Sequence, residues 1–296
     1  MLKSQTLTIL TLLLLLPLAA AVAQIKADKK DWKPLFNGKD LSGWDIKISG
    51  HRLNENYKNT FRYENGMVRI SYDQYQNFDN KYGHMYYKEP YSHYILRFEY
   101  RFTGNQTPGG ANWNVRNSGV MYHSQPASSL TLEQEFPVSL EFQTLGGLGK
   151  GERHTGNLCT PGTIVHVNGK LNPNHCIDSD SKTYDGDGWV KAEIVVLGDS
   201  LITHLIEGDT VLSYYQPQIG EEYWAQGKED AYTKVWKGKN GTALKEGYIA
   251  LQAESHPIDF RQVELLNLNG CMNKSCKNYR SYFVVAGDCD CTKKAK

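Results

Sequence analysis

Apolar and polar positions alternate with a period of two over much of this chain. Within YILRFEYRF, residues 94–102, Leu96, Phe98, Tyr100 and Phe102 share one face, while Arg97, Glu99 and Arg101 share the other. That pattern predicts an antiparallel strand buried on one side. Val68, Ile70 and Tyr72 alternate with Arg69 and Ser71; Ala192, Ile194 and Val196 alternate with Lys191 and Glu193. Tyr248 to Ala253 reads as a further short strand. Turn signals separate such runs: Asn37-Gly38, Asn65-Gly66, Gly109-Gly110, Asn168-Gly169, Asp185-Gly186 and Asn240-Gly241. Only Glu221–Asp230 suggests a short helix. Many strands, frequent turns and few helices predict an all-β sandwich. The parity slips between Phe260 and Val263, which predicts a β-bulge that aims Arg261.

Two further segments place polar groups on sheet faces. In SLEFQTLGG, residues 139–147, Glu141 and Gln143 fall opposite Leu140 and Phe142. Arg116, Asn117 and Ser118 enter another strand. A carboxylate, an amide and a guanidinium gathered on one face suit a sugar, whose hydroxyls both donate and accept hydrogen bonds.

The start of the chain bears on compartment. Lys3 precedes an apolar core, Thr8–Leu16, too short to span a bilayer; Pro17 and Ala19 to Ala23 follow. This predicts a secretory signal peptide over residues 1–23, with Ala21-Val22-Ala23 as its small-x-small cleavage pattern. No later segment is long and apolar enough to be a transmembrane helix, so no membrane span is expected after signal removal. A net charge of +1, with acidic and basic residues interspersed, argues against a nucleic-acid partner. The six cysteines are Cys159, Cys176, Cys271, Cys276, Cys289 and Cys291. An even count in an exported chain favours disulfides. Cys159 and Cys176 flank a loop that they could close. The other four crowd a C-terminal tail, residues 270–296, with zinc as the rival to disulfides there.

Five motifs in order carry a family resemblance: PLFNGKDLSGW at 34–44, NSGVMYH at 117–123, SLEFQTLGG, GDGWVKAEIVVLGDSLITHLIEG at 186–208, and GYIALQAESHPIDFRQVEL at 247–265. Together they resemble the DUF1080 family, the 3-keto-disaccharide hydrolase domain, over residues 31–268. The resemblance implies a concanavalin A-like jelly-roll β-sandwich of two curved antiparallel sheets. It also implies an enzyme whose substrate is an oligosaccharide or glycoside oxidised at C3; with the signal peptide, that enzyme is expected to be periplasmic or secreted. The C3 ketone acidifies the C2 proton; a base removes it, an enolate forms, and the C1 substituent leaves. Water can then add, giving net hydrolysis. Such a site needs a base, an electrophile for the oxyanion and help for the leaving group. A divalent metal could supply the electrophile.

The matched positions supply candidates. Glu141, as base or metal ligand, and His256, as acid/base or ligand, are the expected catalytic residues, and Glu254 could add another carboxylate, also as a metal ligand. Arg116 could meet the C3 oxygen. Asn117, Gln143, Gln252, Arg261 and His123 are the expected substrate-binding residues. The chain departs from the family pattern at Val190, after Trp189, and at Glu207-Gly208; both departures bear on substrate. The Asp-rich run at 178–188 lacks calcium-loop spacing, because Lys182 stands where an oxygen ligand is needed. A non-catalytic carbohydrate-binding, lectin-like module is the alternative on this scaffold. A conventional glycosidase would need a second carboxylate facing Glu141 across a cleft, and the strand of Glu141 offers none.

Overall fold

A computed structural model describes residues 27–220, 236 and 238–292. The expected signal peptide, the expected helix over Glu221–Asp230 and the terminal lysines lie outside the described residues. Among the described residues no helix is long and apolar enough to cross a membrane.

Two antiparallel sheets stack into a jelly-roll β-sandwich. The seven-stranded sheet runs, edge to edge, Cys176–Ile177, Asn157–Cys159, Leu140–Leu145, Asn117–Ser124, Tyr248–Ala253, Gly83–Tyr87 and Trp44–Ile48. The ten-stranded sheet is centred on His93–Phe102, flanked by Val190–Leu197 and Ile258–Asn267. The alternation seen in the sequence explains the layering. Leu96, Phe98, Tyr100 and Phe102 meet Phe142, Leu140, Val120 and Leu251 in one core between the sheets. The edge-on contact of Phe98 with Phe142, 5.5 Å between ring centroids, spans that core. Asn65 and Gly66 both take positive φ, 54° and 75°, and close the two-residue hairpin between Phe61–Glu64 and Met67–Ile70.

The parity slip is a bulge: register shifts between Arg261 and Glu264, and Gln262 takes φ 51°. The cysteines pair as Cys159–Cys176, Cys271–Cys289 and Cys276–Cys291. Sulfurs of Cys271, Cys276 and Cys289 lie within 4.8 Å of one another, but all three are consumed in disulfides. The stapled tail folds back onto the sandwich. Tyr282 and Val284, with Trp32, cover an apolar patch of Ile95, Val195, Leu197 and Leu266 on the outer side of the large sheet. An ion pair between Arg280 and Asp31, at 3.0 Å, ties the tail to the N-terminal segment.

Candidate active site

The outer face of the seven-stranded sheet is the unusual one, because its register aligns polar side chains where a plain sandwich would carry solvated ones. Glu141 stands opposite Met121 on one side and Cys159 on the other. Gln143 stands opposite Gly119 and Asn157. Gln252 stands opposite His84. Glu254 follows one residue past the strand Tyr248–Ala253. Loops rise over this face and enclose a cavity of about 750 Å³. Glu141, Gln143, Asn117, Arg153, Glu135 and Glu254 line it, and the Cys159–Cys176 disulfide forms part of its wall.

Glu141 and Glu254 are only 6% and 2% exposed. Burial pushes both carboxyls well above the ordinary carboxylate value, and the charge of Glu141 pushes Glu254 further. The cause is the cost of holding two negative charges in a poorly solvated space. Because the first charge disfavours the second, the two carboxyls lose their protons in separate steps, and the state that holds one proton pairs an acid with a base. Arg153 pulls Glu254 the other way. Its guanidinium is aimed by backbone: Nη1 donates to the carbonyls of Gly146 at 2.7 Å and Arg116 at 3.2 Å. Gly119 makes the arrangement feasible, since a β-carbon there would overlap the Glu141 carboxylate. Asn157 Nδ2 donates to Gln143 Oε1 at 3.1 Å and fixes that amide. Asn117 Nδ2 donates to the Trp113 carbonyl at 3.2 Å, leaving Asn117 Oδ1 buried without a partner. Glu254 Oε2 and both polar atoms of the Gln252 amide are likewise buried and unpartnered. Buried polar atoms are normally satisfied, so these are places for substrate hydroxyls or water.

The expected residues therefore separate into two groups. Glu141, Glu254, Gln143 and Asn117 come together in the cavity, with Gln252 on the same sheet face. Arg116, His256, Arg261 and His123 do not join them. Arg116 pairs with Asp187 at 2.9 Å, donates to the Gly186 carbonyl and packs over Phe102. His256 is not among the cavity-lining residues; it is buried edge-on to Phe102, 5.6 Å between centroids, with both ring nitrogens unpartnered, and burial with the nearby charge of Arg116 pushes its imidazole down to about 4. Arg261 is not aimed by the bulge, which follows it: it keeps its register opposite Glu99 on the outer face of the other sheet, pairs with Glu99 at 2.6 Å and packs on Trp189. His123 shares a hydrogen bond with the Gly198 carbonyl at 3.0 Å, at the end of its strand remote from Asn117. Among the described residues Glu141, Glu254 and His256 do not form a group with ligand atoms all within 4.8 Å. The Asp-rich run acts as a tie: Asp185 accepts from the Gly149 amide at 2.9 Å and Asp187 holds Arg116.

Arg153, Asn157, Glu135 and Trp113 were not singled out from the sequence. Arg153 sits in a loop with no periodicity, and nothing local sets it apart. The pairing of Glu254 with Glu141 depends on strand order: Tyr248–Ala253 inserts beside Asn117–Ser124, which lies beside Leu140–Leu145.

The model of the 3-keto-alpha-glucoside-1,2-lyase-like domain matches residues 31–266. Among solved structures, the chain is similar to a candidate glycosyl hydrolase from Parabacteroides distasonis, at 18% identity and TM-score 0.47 over 80% of this chain and 98% of that one. It is also similar to the carbohydrate-binding module CBM66 from Bacillus subtilis, at 10% identity and TM-score 0.41 over 76% and 96% of the two chains. A Bacillus licheniformis β-glucanase gives 12% identity and TM-score 0.39 over 79% and 95%. No curated protein matches the sequence.

Proposed function

This chain belongs to the 3-keto-alpha-glucoside-1,2-lyase-like domain family, and from that premise we propose that it cleaves 3-keto-glycosides by C2-proton abstraction and elimination. The observation that supports the reading is the burial of Glu141 and Glu254 on one cavity wall beside Arg153. Glu141 acts as the base. It takes the C2 proton, and the C2–H electron pair becomes the C2–C3 enolate, with negative charge on the C3 oxygen. Arg153 donates to that oxygen as the charge develops. The enolate then collapses, C1=C2 forms and the C1–O bond breaks. Glu254 protonates the departing oxygen. The pair begins and ends with one proton, so it resets by transfer within itself. Asn117, Gln143 and Gln252 hold the remaining hydroxyls. Water added across the new double bond would complete a net hydrolysis.

The disulfides and the predicted signal peptide support an exported, periplasmic or secreted location. A lectin-like module would gain nothing from two buried carboxyls that cost stability. A conventional glycosidase draws on the same pair, and the substrate separates the two chemistries. The test is release from a chromogenic 3-keto-glucoside, in both anomers, with the unoxidised glucosides as controls and a chelator series alongside. Release from the keto sugar only, abolished in Glu141→Gln, is expected. Release from the unoxidised sugar would establish a conventional glycosidase. No release from any of them would favour the binding module.

A further inference from the structure

The cavity is larger than one sugar ring requires. About 750 Å³ falls inside the range of roughly 300–1,000 Å³ that encloses drug-sized ligands. Its mouth carries a feature that the chemistry above does not use. Trp113 lies on the single 3-10 turn Asn112–Asn114 and is 54% exposed. Its indole stacks on Tyr82, 6.0 Å between centroids and 7° between planes. Tyr82 is itself buried and accepts a hydrogen bond from Asn114 Nδ2 at 3.1 Å. Asn117 holds the Trp113 carbonyl from below. One indole face is thus backed by a fixed ring, while much of the side chain remains open at the cavity mouth. Leu148, 46% exposed, lines the same cavity. Asn112, Glu135 and His175 line it as well.

We propose that Trp113 is the platform of a second sugar subsite, which holds the departing saccharide of a keto-disaccharide. This rests on the cleavage reading for what departs, and on the geometry alone for what binds. A pyranose ring offers an apolar C–H face to the indole and equatorial hydroxyls to the polar groups around it. A purely apolar aglycone would leave Asn112 and Glu135 facing hydrocarbon, which disfavours it. Because the platform is built on Asn112–Asn114 and braced by Asn117, it sits next to the cavity floor rather than on a remote surface.

The test compares wild type, Trp113→Ala and Trp113→Phe in the full chain. The probes are 3-keto-cellobiose, 3-keto-maltose and the methyl 3-keto-glucosides of both anomers, with binding read by calorimetry and cleavage read separately. Wild type is expected to bind a keto-disaccharide tighter than the matching methyl glycoside. Trp113→Ala should erase that margin, a loss of roughly tenfold to thirtyfold, with methyl-glycoside binding unchanged and Trp113→Phe keeping most of it. No margin in wild type, or a margin that survives in Trp113→Ala, would overturn the subsite. A margin that depends on Trp113 without any cleavage would sink the elimination reading and still support the subsite.

Discussion

Replacing Gly119 by Ala adds one methyl group at the point on which the proposed chemistry turns. The three atoms nearest to a β-carbon at 119 are all from Glu141: Oε1, Cγ and Cδ. The neighbour that must move is therefore the carboxylate, not a passive core side chain. The backbone at Gly119 lies mid-strand without positive φ, so alanine itself is compatible there. Relief of glycine's unfolded-state entropy favours Ala by about 0.4–1 kcal/mol. Overpacking opposes this by about 1–3 kcal/mol. The net loss is at most about 3 kcal/mol, which lowers Tm by about 10 °C at the outside. Activity should suffer far more. A displacement of about 1 Å in a catalytic group is worth about 10²-fold. In an assay on a 3-keto-glucoside, Gly119→Ala should lose about two orders of magnitude in kcat/KM while remaining folded at the assay temperature. Adding Glu141→Gln should then cost little more, because both changes remove the same group. A Gly119→Ala protein with wild-type kcat/KM would refute the assignment of Glu141 as the base, and so would full additivity of the two changes.

Glu254→Gln should depend on the leaving group: a methyl 3-keto-glucoside should slow by about 10²–10⁴, whereas a nitrophenyl one, which departs without a proton, should slow much less. Equal losses would remove Glu254 from the acid role. The same variant tests the cost of the buried pair. Glu254 titrates above its unfolded value when folded, so its contribution is fully present below the unfolded value near 4.5 and is lost as pH rises through the folded one. The Tm of Glu254→Gln should therefore gain on wild type as pH rises from the unfolded value towards the folded one, and a constant gap would contradict the burial argument. Arg153→Ala should cost about 10²–10³ in kcat. Arg116→Ala should leave kcat nearly unchanged and cost at most about 1 kcal/mol of stability, since its partner Asp187 is largely exposed; kinetic losses in the reverse order would put Arg116 at the oxyanion.

Much of the architecture was readable in the sequence, because a half-buried strand writes its own period. The face of Arg97 and Glu99, the strand Tyr248–Ala253 and the Asn65-Gly66 hairpin all follow from local pattern. The bulge near Arg261 was also readable, but Arg261 lies before it and keeps its register with Glu99. The period of two gives the face a side chain takes without saying which sheet that face belongs to. The site suffers from the same limit. Glu141 shows by its place between Leu140 and Phe142 that it leaves the core, but its partner Glu254 is brought beside it only by strand order. Arg116 carries a motif position yet is used locally, by Asp187. Arg153, from an aperiodic loop, reaches the cavity instead. Pairing within the tail was open for the same reason, since four cysteines so close in sequence permit several connectivities.

Isotopic labelling of the substrate tests C2-proton abstraction most directly. A 3-keto-glycoside deuterated at C2 should be cleaved more slowly than its protiated form, with the ring product retaining no label at C2. Both effects should vanish with the activity in Glu141→Gln. Cleavage at the same rate with deuterium still at C2 of the product would contradict the account and point to direct displacement at C1.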